Sequence, residues 1–462
     1  MGEWNWLNAY LGANYGFKDK LFLSLNMALD GSSRFGVKAA NGLTIGDRQF
    51  PLFPSLAAAW LLSSEKFMSA SSIDLLKLRV SYGISGNDDI GNYTSRYIYI
   101  GQNLLGAQGA VRKWISNPEL QWETVTRLNA GLDLAFWKER VTLGLDVYSN
   151  RTTNMLVYQP LQTITGFSST LSNGGELKNN GIEASANVRI INKVKFKWDF
   201  GANISSYKNQ IVAVPNNAIY TDFAGATILT AVGQSANQFY GYKTNGVYAS
   251  DAEATDAGLS KENNDGALAA FKGGDVRFVD QNGDKVIDDK DRTVIGDPNP
   301  DFFGGVSNRF IWKGFEVNAL FTFSVGNEIY NYVRHRLESQ SGVENQLQSV
   351  LNSWRLDGQQ TNMPKATWGD PMGNNRFSDR WIEDGSYLRL RSLNLTYNLP
   401  LKATAAFKSI AVSVTGNNLF TATKYLGYDP EFGASQSPLA QGIDTGLDPL
   451  FKNVVLGVRI GL

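Results

Sequence analysis

Residues 192–207 read NKVKFKWDFGANISSY. From Val194 onward an apolar residue occupies every second position, and the positions between carry lysine, aspartate, glycine, asparagine or serine. The apolar set is Val194, Phe196, Trp198, Phe200, Ala202 and Ile204. Such alternation is typical of a β-strand whose two faces meet different environments. It leaves open whether the aromatic face packs in a protein core or contacts lipid.

The same alternation recurs along the whole chain. Further examples begin at Leu128, Val141, Ile182, Phe315 and Val454. We count about thirteen such segments of roughly ten residues, longer than an average globular strand and long enough to cross a bilayer at a tilt.

Two kinds of connection alternate between these segments. Two or three residues suffice after Phe17, Phe136, Ile191 and Trp312. The other connections are long: residues 31–50, 87–121, 154–180, 211–301, 328–385 and 420–451, with links of intermediate length at 63–73 and 399–407. Short turns at one end and long loops at the other are typical of outer-membrane barrels and uncommon in compact soluble domains. The sequence therefore predicts an all-β fold, a transmembrane antiparallel β-barrel with long extracellular loops.

Composition excludes several classes of function. The 43 basic and 43 acidic side chains balance, so the chain has no excess positive charge with which to bind nucleic acid. The absence of cysteine excludes disulfides and thiolate metal sites. One histidine, His335, cannot form a multi-histidine site, and we expect it to be an exposed loop residue. No nucleophile accompanied by a base is apparent, so we expect no enzymatic activity.

Seven motifs resemble one family. They are DGSSRFG (30–36), FPSLAAAW (53–60), LRVSYGISGNDDIGNY (78–93), NPELQWE (117–123), NNGIE (179–183), GDVRFVDQNGD (274–284) and WIEDGSYLRLRSLNLTYNLP (381–400). In type and order they resemble the SusC/RagA family of TonB-dependent outer-membrane transporters. The final residues, GVRIGL (457–462), resemble the C-terminal insertion signal of outer-membrane barrels, although Leu462 stands where an aromatic residue is usual.

The resemblance implies an importer in the outer membrane of a Gram-negative cell. It would take up oligosaccharides or peptides, driven through TonB, together with a SusD-like surface lipoprotein. Family members have a barrel of about twenty-two strands with an N-terminal plug. We therefore expect residues 1–462 to be the C-terminal part of such a barrel, without the plug, the TonB-contacting segment and the first strands. A passive porin and a soluble, calcium-dependent extracellular adhesin or lectin remain alternatives.

Residues 280–291, DQNGDKVIDDKD, have the spacing of a calcium-binding loop. The predicted ligands are Asp280, Asn282, Asp284, the carbonyl of Val286, Asp288 and Asp291. Lys285 stands where glycine is usual, and Asp291 replaces a longer glutamate. The surrounding loop, residues 211–301, carries 14 acidic and 7 basic side chains, so a cation would relieve repulsion. We expect a structural Ca²⁺ and no other cofactor; the alternative is a solvated acidic turn.

Aromatic residues in the predicted loops are candidates for contact with a substrate or a partner. They are Trp114, Trp122, Tyr240, Tyr242 and Trp368. Each ring would stack on a sugar or pack against a partner protein, and the sequence does not distinguish the two. Near Ser392 the apolar alternation changes phase, which predicts a β-bulge in that strand.

Overall fold

The computed structural model describes residues 3–40, 42–46, 48–69, 72–263, 265–401, 407–431 and 433–461. Within them, thirteen strands form one sheet, which we call the wall, and each strand pairs antiparallel with its neighbours in chain order. The wall strands are β1 Trp6–Phe17, β2 Leu21–Ser32, β3 Leu52–Leu61, β4 Ile73–Asn87, β5 Glu123–Phe136, β6 Val141–Pro160, β7 Ser169–Lys193, β8 Phe196–Ala213, β9 Phe302–Trp312, β10 Phe315–Val325, β11 Tyr387–Asn398, β12 Ser409–Thr423 and β13 Asn453–Gly461. The predicted fold class and number of wall strands are thus confirmed.

The short turns lie close to their predicted positions. The turns after Phe17, Phe136 and Trp312 are confirmed. The turn predicted after Ile191 lies two residues later, because a bulge between Arg189 and Ile191 lets β7 continue to Lys193. Val194 is therefore an exposed turn residue and not part of the apolar face. The predicted bulge near Ser392 is confirmed by a register shift between Leu390 and Ser392.

Several other sequence predictions touch residues outside the described ranges. The link at 63–73 contains two 3₁₀ turns, Leu62–Ser64 and Lys66–Met68, but its residues 70 and 71 lie outside. Residues 402–406 of the link at 399–407 and the terminal Leu462 lie outside as well.

Two strands extend far beyond the length that a bilayer requires. β6 has 20 residues and β7 has 25, whereas about 9–11 tilted residues cross the hydrocarbon. Their pairing continues as far as Pro160 opposite Ser169, so the predicted loop 154–180 is wrong and the true connection is residues 161–168. The outer parts of these strands are rich in serine, threonine and asparagine, so they lack the apolar alternation that predicts a strand.

The remaining loops are folded structures. Residues between β8 and β9 contain a four-stranded sheet and helix α1, Asp251–Ala257. Residues between β10 and β11 contain helix α2, Tyr332–Leu337. The loop strands are Leu43–Ile45 with Arg48–Phe50; Tyr99–Leu104 with Ala107–Arg112; Ala218–Phe223, Ala226–Ala231, Gln238–Tyr242 and Arg292–Gly296; Thr244–Val247 with Val276–Phe278; Ser260–Glu262 with Leu268–Ala270; and Glu328–Asn331, Ile382–Asp384 and Ile443–Asp444. In the described part of the chain, no helix has the length and apolar character needed to span a membrane.

The wall has one apolar face and one polar face. Paired residues form an apolar row across six strands: Trp60, Leu78, Leu132, Leu145, Ala184 and Ile204. The adjacent row consists of Arg79, Gly131, Asp146, Glu183 and Ser205. The apolar row is not covered by a second sheet, since Ile204 is 45% exposed. Because exposed rows of this kind are stable only against hydrocarbon, the apolar face is the lipid-facing one.

We predict that substitution by arginine destabilises two neighbouring positions on β7 to very different extents. Ala186 lines an apolar groove on the lipid-facing side, and Asn187 lines a polar recess on the other side. Because a lipid-facing arginine near the bilayer midplane costs about 2–4 kcal/mol, Ala186→Arg should lower the free energy of unfolding by that amount. Asn187→Arg should lower it far less. Urea unfolding in lipid vesicles measures the free energy of unfolding of both variants. Equal decreases in the two variants would contradict the assignment of the faces.

Candidate functional site

The polar face of the wall carries paired charges that link separate strands. The guanidinium of Arg79 on β4 donates twice to Asp133 on β5, both at 2.9 Å. It also donates to both carboxylate oxygens of Asp146 on β6, at 3.0 and 2.9 Å. Gly131 makes this reach possible, since a Cβ there would lie 2.6 Å from the Arg79 Cζ. The planar fork of arginine suits such double pairing and fixes three strands together.

A second charged group lines a recess of about 570 Å³ in the same face. Arg309 on β9 donates to Glu316 on β10 at 2.8 Å and lies 3.9 Å from Asp199 on β8. Asn187 and Arg189 line the recess as well. This face can therefore hydrogen-bond to water, to a polar solute or to another protein segment inside the barrel.

A buried ion cluster fastens the last long loop to the wall. Arg389 on β11 is only 2% exposed and contacts Asp429 and Glu431, each at 2.5 Å. Arg391 pairs with Glu431 at 2.5 Å, and the Tyr387 hydroxyl donates to the same carboxylate at 2.6 Å. Removal of either partner of a buried pair leaves an uncompensated charge, so this cluster holds the loop against the inner face. In the sequence YLRLRSLNL (387–395) both arginines alternate with leucines, but the sequence does not reveal their carboxylate partners.

Three loops share one hydrophobic core, which we call the loop core. It contains Ala226, Ile228, Phe239, Ile295, Tyr330, Phe377, Trp381, Ala440 and Ile443. The first four come from the loop after β8, the next three from the loop after β10, and the last two from the loop after β12. The extracellular side is therefore a packed cap rather than a set of independent loops.

His335 lies in this loop core, so the prediction of an exposed histidine is wrong. Its Nε2–H donates to the carbonyl of Asn375 at 2.8 Å, and its Nδ1 contacts the Tyr330 hydroxyl. Burial, with the nearby charges of Arg336 and Arg380, lowers the pKa of His335 below its usual value. Its ring also packs against Trp381, 46 positions along the chain, and the local sequence VRHRLE does not reveal this contact.

The five predicted aromatic residues are distributed over several loops. Trp114 donates from Nε1 to the Arg96 carbonyl at 3.0 Å, with the Lys113 ammonium 4.7 Å above its ring. Trp122 is 5% exposed and packs edge-on against Phe35, with ring centroids 5.7 Å apart. These two rings thus have defined structural contacts.

The other three aromatic residues differ in exposure. Tyr240 packs against Tyr220, with centroids 5.5 Å apart. Tyr242 packs against Phe278 at 5.7 Å, and the Arg376 guanidinium lies 5.1 Å from its ring. Trp368 is 74% exposed and is the most accessible of the five predicted rings.

The predicted calcium loop is closed by backbone hydrogen bonds. Asp280 accepts from the amides of Gly283 and Lys285 at 2.7 and 2.9 Å. Asp291 is fully buried and accepts from the amides of Gln281 and Asp288, both at 2.8 Å. These bonds bend residues 280–291 into a tight turn.

Its remaining carboxylates lie near a lysine. The Lys290 ammonium lies 3.3 Å from Asp288 and 3.8 Å from Asp284. Hydrogen bonds from the Val286 amide and from Asn282 lower the pKa of Asp284. Across the described ranges, no set of three or more histidine, aspartate or glutamate side chains is arranged to hold a metal ion. The donor types suit calcium but do not converge on one centre here, so calcium binding stays a prediction.

Comparisons with known proteins agree with this architecture. The family profile described as "TonB dependent receptor-like, beta-barrel" matches residues 3–419. TonB-dependent receptor P3 of Formosa agariphila is 32% identical over 485 aligned residues, which cover 100% of this chain and 46% of that protein. TonB-dependent receptor SusC of Bacteroides thetaiotaomicron is 29% identical, with coverage of 99% and 44%. The solved RagAB peptide transporter superimposes with a TM-score of 0.82 at 26% identity, with coverage of 99% and 48%. The chain thus spans about half the length of the curated relatives it matches.

We predict that acid weakens the loop core through His335. Because folding holds the histidine pKa below its unfolded value of about 6.5, the unfolded chain binds the proton first as the pH falls. Above about pH 6.5 the stability of the loop core should therefore not depend on His335. Below that pH the stability should decrease as the unfolded chain binds the proton. Hydrogen exchange of the α2 amides between pH 7 and 5 measures this loss. His335→Gln should make the pH dependence shallower, and parallel curves for the two proteins would contradict the prediction.

We predict that calcium, if it binds, orders residues 280–291 and displaces the Lys290 ammonium. Calcium should slow hydrogen exchange in this segment, and Asp280→Asn should abolish the effect because it removes one ligand charge. Lys290→Ala should strengthen binding. The control is Asp256→Asn, which changes an exposed acid on α1 outside residues 280–291. If hydrogen exchange in residues 280–291 is the same with calcium as with a chelator, the segment is a solvated acidic turn that does not bind calcium.

Proposed function

The chain belongs to the TonB-dependent receptor-like β-barrel family, and from this we propose that it forms much of the wall and cap of an outer-membrane importer. The cargo that we propose is an oligomeric polar nutrient, either an oligosaccharide or a peptide. The relatives reported above are named as receptors or transporters, which agrees with the expectation that the chain is not an enzyme.

One observation carries the proposal most directly. A single sheet exposes an apolar face to lipid, while its charged inner face is bound to a folded cap through the cluster of Arg389, Asp429 and Glu431. A passive porin needs a lumen that stays open, whereas this loop is fastened against the inner wall. A soluble adhesin would have to leave the apolar face in water. Both alternatives are therefore less well supported than gated import.

We propose that further strands of the same protein complete the wall. Within the described residues, β1 and β13 are the two edge strands. Unpaired backbone groups in hydrocarbon cost several kcal/mol each, so such edges need partners. Relatives of about twice this length are consistent with an upstream part that supplies the missing strands, a plug and the contact with TonB.

We also propose that a SusD-like surface lipoprotein docks on the cap. Several large apolar side chains of the loops are highly exposed: Leu356, Trp368, Leu426, Tyr428 and Phe451. A contiguous exposed apolar patch is typical of a surface that a partner covers, and we propose that these side chains contribute to one. The solved RagAB peptide importer is described in an open-open and a closed-closed state. We propose that a lipoprotein on the exposed apolar side chains of this cap would open and close in a similar way.

Uptake by intact cells tests the import function. Cells that carry the gene should accumulate fluorescent oligosaccharides or peptides, and a deletion strain should not. A protonophore, which removes the energy that TonB delivers, should stop uptake in the carrying strain. Uptake that persists with the protonophore and rises linearly with concentration would instead identify a passive porin.

A further inference from the structure

A polar cavity of about 690 Å³ lies between the loop after β8 and the loop after β10. Amide and hydroxyl side chains form much of its lining, among them Gln359, Gln360, Thr361 and Asn362. Three charged residues, Arg334, Glu338 and Arg380, also line it. None of the residues singled out from the sequence as site candidates belongs to this lining.

Arg380 is buried at the cavity without a close anionic partner. Its side chain is 9% exposed, and its Nε makes no hydrogen bond among the described residues. Nη2 contacts the Met363 sulfur at 2.9 Å, which is a weak acceptor, and the Glu338 carboxylate is 4.0 Å away. The guanidinium stacks on Trp381, 4.8 Å from the ring centroid, which holds it in place.

The acids near Arg380 make their shorter ion pairs with Arg334. Its guanidinium donates to Glu338 at 3.1 Å and to Glu383 at 2.9 Å. Burial lowers the pKa of Arg380 to about 10, and the charge of Arg334 acts in the same direction against the attraction of Glu338. Buried cations in proteins are normally paired, and Arg380 only shares Glu338 at 4.0 Å with Arg334, so its guanidinium keeps donors that no carboxylate of the described residues accepts.

The surroundings of Arg380 favour an anion with a single negative charge. Glu338 lies close enough to repel a doubly charged phosphate or sulfate group, whereas a carboxylate brings a single negative charge. A carboxylate also matches the planar guanidinium fork. The amide and hydroxyl groups of the lining suit a ligand that bears further hydrogen-bonding groups.

We propose that this cavity binds the carboxylate of a polar ligand, with Arg380 as its ionic partner and the amide and hydroxyl side chains holding the adjoining groups. Two sources share this chemistry: an acidic sugar unit and the C-terminus of a peptide. Binding does not require transport, so the site goes beyond the proposed import function and is separable from it.

Calorimetry on the protein purified from outer membranes in detergent tests the site. The probes are trigalacturonate and trialanine, each compared with its neutral counterpart, the methyl ester and the C-terminal amide. At least one acid should bind, and at least tenfold more tightly than its neutral form. Preference for the sugar or for the peptide acid identifies the source of the carboxylate. Absence of binding by both acids, or equal binding of acid and neutral forms, would overturn the proposal.

Two variants and a control separate recognition from folding. Arg380→Gln should weaken binding of the acid at least tenfold. Asn362→Trp, a substitution at an exposed lining residue, should block the cavity while leaving the guanidinium untouched. Arg336→Gln, which removes an exposed arginine of α2 that pairs with Glu344, should change affinity less than twofold. Unchanged binding in both Arg380→Gln and Asn362→Trp would place the ligand elsewhere.

Discussion

The need to pair every backbone amide and carbonyl inside hydrocarbon governs this structure. Water is absent there, so strands cross only as members of a continuous hydrogen-bonded sheet. Thirteen neighbouring strands meet this requirement in chain order, except along the outer edges of β1 and β13. The pleat then sends alternate side chains to opposite faces, which is why the apolar row of Leu132 and Leu145 is adjacent to the charged row of Arg79 and Asp146. A chain with modest overall hydrophobicity can thereby present apolar rows to lipid.

The inner face and the cap form one connected structure. Arg79 joins three wall strands, and Arg389 joins the wall to the last loop. That loop in turn contributes to the core around Trp381 and Tyr330. Within this network most arginines have carboxylate partners at short distance. Arg380, beside a polar cavity, shares Glu338 at 4.0 Å with Arg334, and a ligand can accept from the guanidinium donors that remain without a partner.

Much of the wall was predictable from the sequence, because the period-two alternation is local. The ends of the strands were not, since β6 and β7 stay paired as far as Pro160 and Ser169, where Leu156 and Leu171 pack against a loop cluster and the lipid-facing alternation no longer applies. The cap was the least predictable part. The burial of His335, the partners of Arg389 and the cavity at Arg380 depend on contacts between residues 40 or more positions apart. The spacing of residues 280–291 indicates a calcium loop, but spacing alone does not bring the carboxylates together.

Spin labels along β5 test the orientation of the wall most directly. The chain has no cysteine, so single cysteines at Leu128, Asn129, Leu132 and Asp133 can be labelled without interference. In lipid vesicles, collisions with oxygen, which is concentrated in lipid, should be high at positions 128 and 132. Collisions with a water-soluble nickel chelate should be higher at positions 129 and 133. A profile without alternation, or one of opposite phase, would contradict the account.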